Sequence, residues 1–138
     1  LEQQRAREQV QWGVEHKLRI LAADDNQKVL ALLQKDFARF GLEVVTCARR
    51  GELRALLEAE PFDALAIDES LTGGSGVEFC MSIKGKYPAL TRIIMTSAPT
   101  REIVEARSHR MIDGYIVKPV SAATLLKEIR ACRRAHDA

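Results

Sequence analysis

The chain has 138 residues, of which 46% are hydrophobic and 29% charged, with a formal net charge of +2. This balance is typical of one globular domain and differs from that of a disordered chain. Basic residues cluster only at 130–134, so we expect no direct nucleic-acid partner. No apolar run approaches the roughly 18 residues of a membrane span. Three widely spaced cysteines favour a reducing cytoplasm over a disulfide framework.

The first 16 residues are rich in Gln, Glu and Arg, with few apolar positions. They predict a solvated helix, either a linker from an upstream domain or a pairing helix. The chain begins at Leu1 instead of Met, which favours a segment of a longer protein. We therefore divide the chain into a helical leader or linker at 1–16 and a domain at 17–138.

Short apolar runs alternate with helical patterns along the domain. The runs predict strands at 18–23, 42–47, 64–67, 93–95 and 115–117. The apolar positions at helical spacing are Val29, Leu30, Leu33, Phe37 and Phe40, then Leu53, Leu56 and Leu57, then Val77, Cys80 and Met81, then Ile103 and Val104, and last Leu125, Leu126, Ile129 and Cys132. Gly41, Pro61 and Pro88 are predicted to close the first three helices, and Ser121 to cap the fifth.

Five strands alternating with five helices predict a doubly wound, flavodoxin-like α/β fold with a five-stranded parallel sheet. Reactive side chains follow strands one, three, four and five, whereas the turn at 48–50 after strand two carries only Ala and Arg. If strand two lies at the edge, the order 2-1-3-4-5 places the reactive residues at the switch between strands one and three.

The residues that follow these strands are Asp24, Asp25, Asp68, Ser97 and Lys118. Two carboxylates about 4 Å apart repel by roughly 4 kcal/mol at an effective dielectric constant near 20, so a cation is needed between them. Mg²⁺ is favoured because it accepts a few carboxylates while it keeps waters and a phosphate oxygen. Asp68 could then attack phosphorus, while Lys118 and Ser97 bind the phosphoryl oxygens.

Each of these residues also has a simpler explanation. Asp24 and Asp25 could cap the first helix, and Asp68 could start the loop that precedes the turn at 72–76. Ser97 could be an ordinary hydroxyl at a strand end, and Lys118 a surface lysine. The joint presence of all five favours the phosphoryl site.

Four ordered segments resemble the motifs of a receiver domain of a two-component response regulator, and the resemblance covers residues 17–135. They are residues 20–26, residues 62–68 followed by Gly76, residues 95–98, and residues 115–119. The resemblance implies a regulatory phosphoacceptor that catalyses only its own phosphorylation and dephosphorylation. Its partner would be a sensor histidine kinase or a histidine phosphotransfer protein, with an unknown output domain or protein.

The same resemblance implies a role for each site residue. Asp68 would be the phosphoacceptor. Asp25, Asp68 and the Ser70 carbonyl would ligate Mg²⁺ directly, Asp24 would assist through water, and Lys118 would bind the phosphoryl group.

The resemblance further implies that Ser97 and Tyr115 form the conformational switch and that the Lys118–Pro119 peptide bond is cis. The switch would remodel the face made by helix four, strand five and helix five, through which a homodimer could form. The expected location is the cytoplasm.

The chain departs from the family pattern at several positions. Thr72 stands where proline is usual, and two glycines follow it, so the loop is expected to be looser. Glu69 adds negative charge where the family usually has an apolar residue. Ser97 replaces a common threonine, and Pro99 stiffens the loop after it.

Two other functions stay open. A phosphatase of the haloacid dehalogenase type shares the acids, magnesium and lysine, but needs a second acid where this chain has Ser70. A receiver-like scaffold that binds partners without phosphorylation is favoured by Glu69 and the glycine-rich loop.

Overall fold

The structure is a computed structural model that describes residues 17–137. The predicted leader at 1–16 lies outside the described residues. No helix within 17–137 is long and apolar enough to cross a membrane.

Five parallel strands form the central sheet. They are β1 (Ile20–Ala23), β2 (Val44–Cys47), β3 (Ala64–Asp68), β4 (Thr91–Thr96) and β5 (Gly114–Val117). Their order is β2-β1-β3-β4-β5, as the sequence predicted. In β1, Ile20 lies opposite Val44 on one side and Ala64 on the other, so β1 is flanked on both sides and β2 is an edge strand.

Five helices connect and cover the strands. They are α1 (Gln27–Ala38), α2 (Arg50–Ala59), α3 (Gly76–Ser82), α4 (Arg101–Ser108) and α5 (Ala122–Asp137). The predicted cap of α5 is confirmed, because the Ser121 Oγ accepts the Thr124 N–H at 3.2 Å. The Ala122 N–H donates at 2.7 Å to an Asp36 carboxylate oxygen on α1, which ties the start of α5 to α1.

The sheet is buried on both faces, because successive side chains of a strand point to opposite sides. In β1, Leu21 and Ala23 belong to the apolar cluster under α2, α3 and α4, while Ile20 and Ala22 belong to the cluster under α1 and α5. All four are completely buried. This explains why the strands are continuously apolar rather than alternating.

Three predicted helix positions are not in the core. Phe40 is 51% exposed because α1 ends at Ala38, and Phe40 lies in the turn that Gly41 closes with a φ of 69°. Met81 and Val104 lie on α3 and α4 but are 50% and 46% exposed. The third helix also ends at Ser82, well before Pro88, so helical spacing overestimated its length.

Candidate functional site

The carboxyl ends of four strands bring the predicted site residues to one edge of the sheet. Asp68 is the last residue of β3, Asp24 follows β1, Ser97 follows β4 and Lys118 follows β5. Thr96 pairs with Val117 across β4 and β5, so the next residues of the two strands begin neighbouring loops.

Lys118 joins two of the acids. Its Nζ lies 3.1 Å from Asp68 Oδ1 and 3.3 Å from Asp24 Oδ2. The side chains of Asp24, Asp68 and Lys118 are 2%, 14% and 28% exposed. One ammonium group therefore forms ion pairs with two carboxylates, and all three side chains are largely shielded from solvent.

The surroundings shift two of these pKa values. Burial raises the pKa of Asp68 and the Asp24 carboxylate adds to this, although Lys118 and the Ser70 main chain oppose it. Burial alone would lower the pKa of Lys118, but the Asp68 and Asp24 carboxylates together raise it. The fold thus disfavours the ionised form of Asp68 and favours the charged form of Lys118.

Asp24 has one oxygen that lacks a hydrogen bond. Its Oδ1 accepts the Asn26 N–H at 2.8 Å, but its buried Oδ2 has no hydrogen-bond partner among the described residues. That oxygen lies within ion-pair distance of Lys118, yet without the geometry of a hydrogen bond. A buried carboxylate oxygen in this state is costly unless a cation compensates it.

The donors at this edge fit Mg²⁺ in their chemistry, because all are oxygens and one is buried without a hydrogen bond. Within 17–137, no three Asp, Glu, His or Cys side chains converge closely enough to enclose a metal by themselves. Main-chain oxygen and water would have to complete the shell, which is the mode of binding that Mg²⁺ prefers.

The helix cap of α1 is neither Asp24 nor Asp25. Asn26 is the cap, and its Oδ1 accepts the N–H groups of Lys28 and Val29 at 3.0 and 3.4 Å. Asp25 is exposed, and its Oδ1 accepts the main-chain N–H of Thr72 at 2.9 Å. The capping explanation for the two acids is therefore excluded.

The loop after Asp68 forms a short paired hairpin. Ser70 pairs with Ser75 and Leu71 with Gly74, which leaves residues 72–73 as the turn. Gly76 follows at the start of α3, where a Cβ would collide with the carbonyl oxygen of Asp68.

The residues expected to form the switch lie on one side of the site. Ser97 is exposed after β4, and Tyr115 is half-buried on β5 with its ring 5.7 Å from the Arg107 guanidinium carbon. The peptide bond between Lys118 and Pro119 is cis.

Residues 20–130 match the response regulator receiver domain. The chain belongs to this family. It therefore functions in two-component phosphorelay signalling, in which receiver domains interact with histidine kinases or phosphotransfer proteins and are generally Mg²⁺-binding regulatory phosphoacceptors.

Solved receiver domains have the same fold. A CheY-like receiver domain of Methanospirillum hungatei is 27% identical, with a TM-score of 0.77 over 88% of this chain and 97% of that one. The chemotaxis response regulator CheY4 of Vibrio cholerae is 24% identical, with a TM-score of 0.73 over 84% and 98%. A two-component response regulator of Clostridium difficile is 17% identical, with a TM-score of 0.76 over 88% and 100%. The last two support the fold alone.

Sequence reasoning missed two participants at this edge, the Thr72 amide and Arg50. The Thr72 amide contacts Asp25 across 47 positions of sequence, and Arg50 contacts the hairpin from the start of α2. The departure from proline at 72 was visible in the sequence, but the contact that it permits was not.

Proposed function

We propose that Asp68 accepts a phosphoryl group from a phosphohistidine of a sensor histidine kinase or histidine phosphotransfer protein. The observation that carries this proposal is the position of the Lys118 ammonium, 3.1 Å from the carboxylate of Asp68 at the carboxyl edge of the sheet. An ammonium placed there can neutralise a phosphoryl oxygen as the group arrives.

Mg²⁺ would be held by Asp25, Asp68 and the Ser70 carbonyl, with Asp24 acting through water. When bound, it would offset negative charge on the transferring phosphoryl oxygens. The Oδ2 of Asp24, which accepts no hydrogen bond from the described residues, and the carboxylate of Asp25 at this edge support this set of donors.

The transfer makes one bond and breaks one. A carboxylate oxygen of Asp68 attacks phosphorus, and the bond between phosphorus and the imidazole nitrogen of the donor breaks as the new bond forms. The imidazole leaves with its electron pair and takes up a proton. Lys118 moves no proton and stabilises charge throughout.

The phosphorylated state would then bias a conformational equilibrium. The Ser97 hydroxyl donates to a phosphoryl oxygen, and its movement opens space for the Tyr115 ring, which shifts the population toward an active state. Half-burial of Tyr115 next to Arg107 supports a ring that can exchange between two environments.

The face made by α4, β5 and α5 would carry the output. Val104 and Val117 are exposed apolar residues on α4 and β5, which suits an output domain, an output protein or a homodimer. We place this activity in the cytoplasm, where a kinase partner and reduced thiols are expected.

The test is phosphorylation by an acyl phosphate in the presence of Mg²⁺, followed by measurement of intact mass. The wild type should gain one phosphoryl group, and Asp68→Asn should gain none. Glu69→Gln is the matched control and should still be modified, because its carboxyl is not the acceptor. A wild type that stays unmodified with several donors would refute the proposal.

The same variants separate the two alternatives. Partner binding that is insensitive to Asp68→Asn would favour a phosphorylation-independent scaffold. Steady turnover of an external phosphate ester would favour a haloacid-dehalogenase-type phosphatase, for which Ser70 stands where a second acid is needed.

A further inference from the structure

Asp25 is held by a hydrogen bond that a proline at residue 72 could not make. The Thr72 main-chain N–H donates to Asp25 Oδ1 at 2.9 Å, and proline has no N–H. We propose that the Thr72 amide positions Asp25 for a divalent cation, and that Arg50 holds the hairpin that carries this amide. The inference rests on the proposed Mg²⁺ site.

The exposed carboxylate of Asp25 needs such an anchor. An exposed side chain has little packing to fix its rotamer, and the freedom that remains is lost when a ligand binds. One N–H occupies one acceptor position of Oδ1 and leaves Oδ2 and a further lone pair for a cation. The hydrogen bond therefore orders the carboxylate and leaves it able to bind the cation.

The amide is itself fixed by the hairpin after Asp68. Leu71 pairs with Gly74 across the turn and is buried, which anchors the strand just before Thr72. Ser70, whose carbonyl is a proposed ligand, pairs with Ser75 in the same hairpin. One short element would thus set two of the direct oxygen donors.

Arg50 fastens this hairpin to α2. Its Nη1 donates to the Gly73 carbonyl at 3.3 Å, and its main-chain N–H donates to the Thr72 carbonyl at 3.4 Å. Gly74, with a φ of 145°, lies directly against the guanidinium, where a Cβ would collide with it. The Nη1 also lies 3.9 Å from a Glu78 carboxylate oxygen of α3. Arg50 therefore joins the hairpin to both neighbouring helices.

The first test compares Thr72→Pro with Thr72→Ala by calorimetric titration of the metal-free protein with Mg²⁺. Thr72→Ala keeps the N–H and should bind Mg²⁺ within about twofold of the wild type. Thr72→Pro should bind about tenfold more weakly, which corresponds to ~1.4 kcal/mol. Equal or tighter binding by Thr72→Pro would overturn the inference, whereas a wild type that binds no Mg²⁺ would overturn the proposed function itself.

Arg50 variants distinguish its role in positioning the hairpin from the effect of its positive charge on cation binding. Removal of a nearby positive charge by itself would tighten binding of a cation. A positioning role predicts the opposite change in affinity, so Arg50→Ala should bind Mg²⁺ about threefold more weakly. Arg50→Lys keeps the charge without the planar fork and should weaken binding similarly. Tighter binding by Arg50→Ala would contradict the role given to Arg50.

A measurement on the wild type avoids any variant that fails to fold. The Thr72 amide proton should be protected from solvent exchange in the metal-free protein, as followed by NMR, and should stay protected when Mg²⁺ is saturating. Loss of protection on addition of Mg²⁺ would mean that the amide competes with the cation for Asp25, which would overturn the inference.

Discussion

The central sheet has an amino edge, where its parallel strands begin, and a carboxyl edge, where they end. Acidic side chains have different partners at these two edges. At the amino edge, Asp113 accepts the Arg92 N–H at 2.7 Å and lies 3.5 Å from the Arg92 Nε, while Asp63 accepts the Arg19 N–H at 2.8 Å and lies 3.6 Å from an Arg133 nitrogen. At the carboxyl edge, Asp24 and Asp68 share one lysine.

The difference separates acids that already have their partners in the fold from the acids of the candidate site. Each acid at the amino edge has its own arginine and a main-chain donor, so its charge is already compensated. The acids at the carboxyl edge are left short of positive charge. A bound cation can make up this shortage before an anionic phosphoryl group arrives, and the shortage predicts opposite effects of mutation at the two edges.

The largest effect on stability should come from removal of an acid at the amino edge. Asp113→Ala leaves the Arg92 guanidinium, whose side chain is only 13% exposed, without its carboxylate, and leaves a main-chain N–H unpaired. We expect the free energy of unfolding to fall by about 3 kcal/mol in urea titrations. Asp113→Asn keeps an acceptor oxygen and should lose less. No loss in Asp113→Ala would remove the contrast between the edges.

Mg²⁺ should stabilise the protein by binding at the carboxyl edge alone. At a hundredfold excess over its dissociation constant, a ligand of the native state adds about 2.7 kcal/mol to the free energy of unfolding. The wild type and Asp113→Ala should gain equally in thermal unfolding with and without Mg²⁺. Asp68→Asn should gain much less, because it lacks a proposed ligand. An equal gain in Asp68→Asn would place the metal elsewhere.

Without metal, Asp68→Asn should stabilise the protein at pH 7. Since the folded state raises the pKa of Asp68, its contribution to stability is present below the unfolded pKa and is lost as the pH rises through the folded pKa. An uncharged Asn avoids this loss. We expect Asp68→Asn to have a higher thermal midpoint than the wild type in the absence of Mg²⁺. A lower midpoint in calorimetry would contradict the charge shortage proposed for this edge.

Near neutral pH, the smallest effect concerns the buried thiols. Burial raises the pKa values of Cys80 and Cys132 to about 12, so both stay protonated in the folded protein. Iodoacetamide at pH 8 should modify neither at a measurable rate, whereas urea should expose all three cysteines to alkylation. As the pH rises above 9, ionisation in the unfolded state should lower stability by up to ~1.4 kcal/mol per pH unit for each of these two thiols. Fast alkylation of the native protein would contradict this.

Periodicity predicted the order of the sheet because buried parallel strands are short, apolar and regularly spaced. It could not distinguish core from surface at Phe40 and Met81, since a helix end and a helix face depend on the neighbouring elements. The positions of the acids, Ser97 and Lys118 at the carboxyl edge could be predicted because strand ends are recognisable in sequence. The Thr72–Asp25 contact was missed because it joins two loops through a hairpin that pairs only in the folded chain.

Gly76 contacts the carbonyl oxygen of Asp68 so closely that no side chain fits. In a scan of all single substitutions, position 76 should therefore be as intolerant as Asp68, the proposed phosphoacceptor, although it carries no reactive group. Intolerance at position 76 would reflect the close approach of two main-chain segments. Essential positions of this domain therefore include residues that take part in the chemistry and residues that are required only because no side chain fits there.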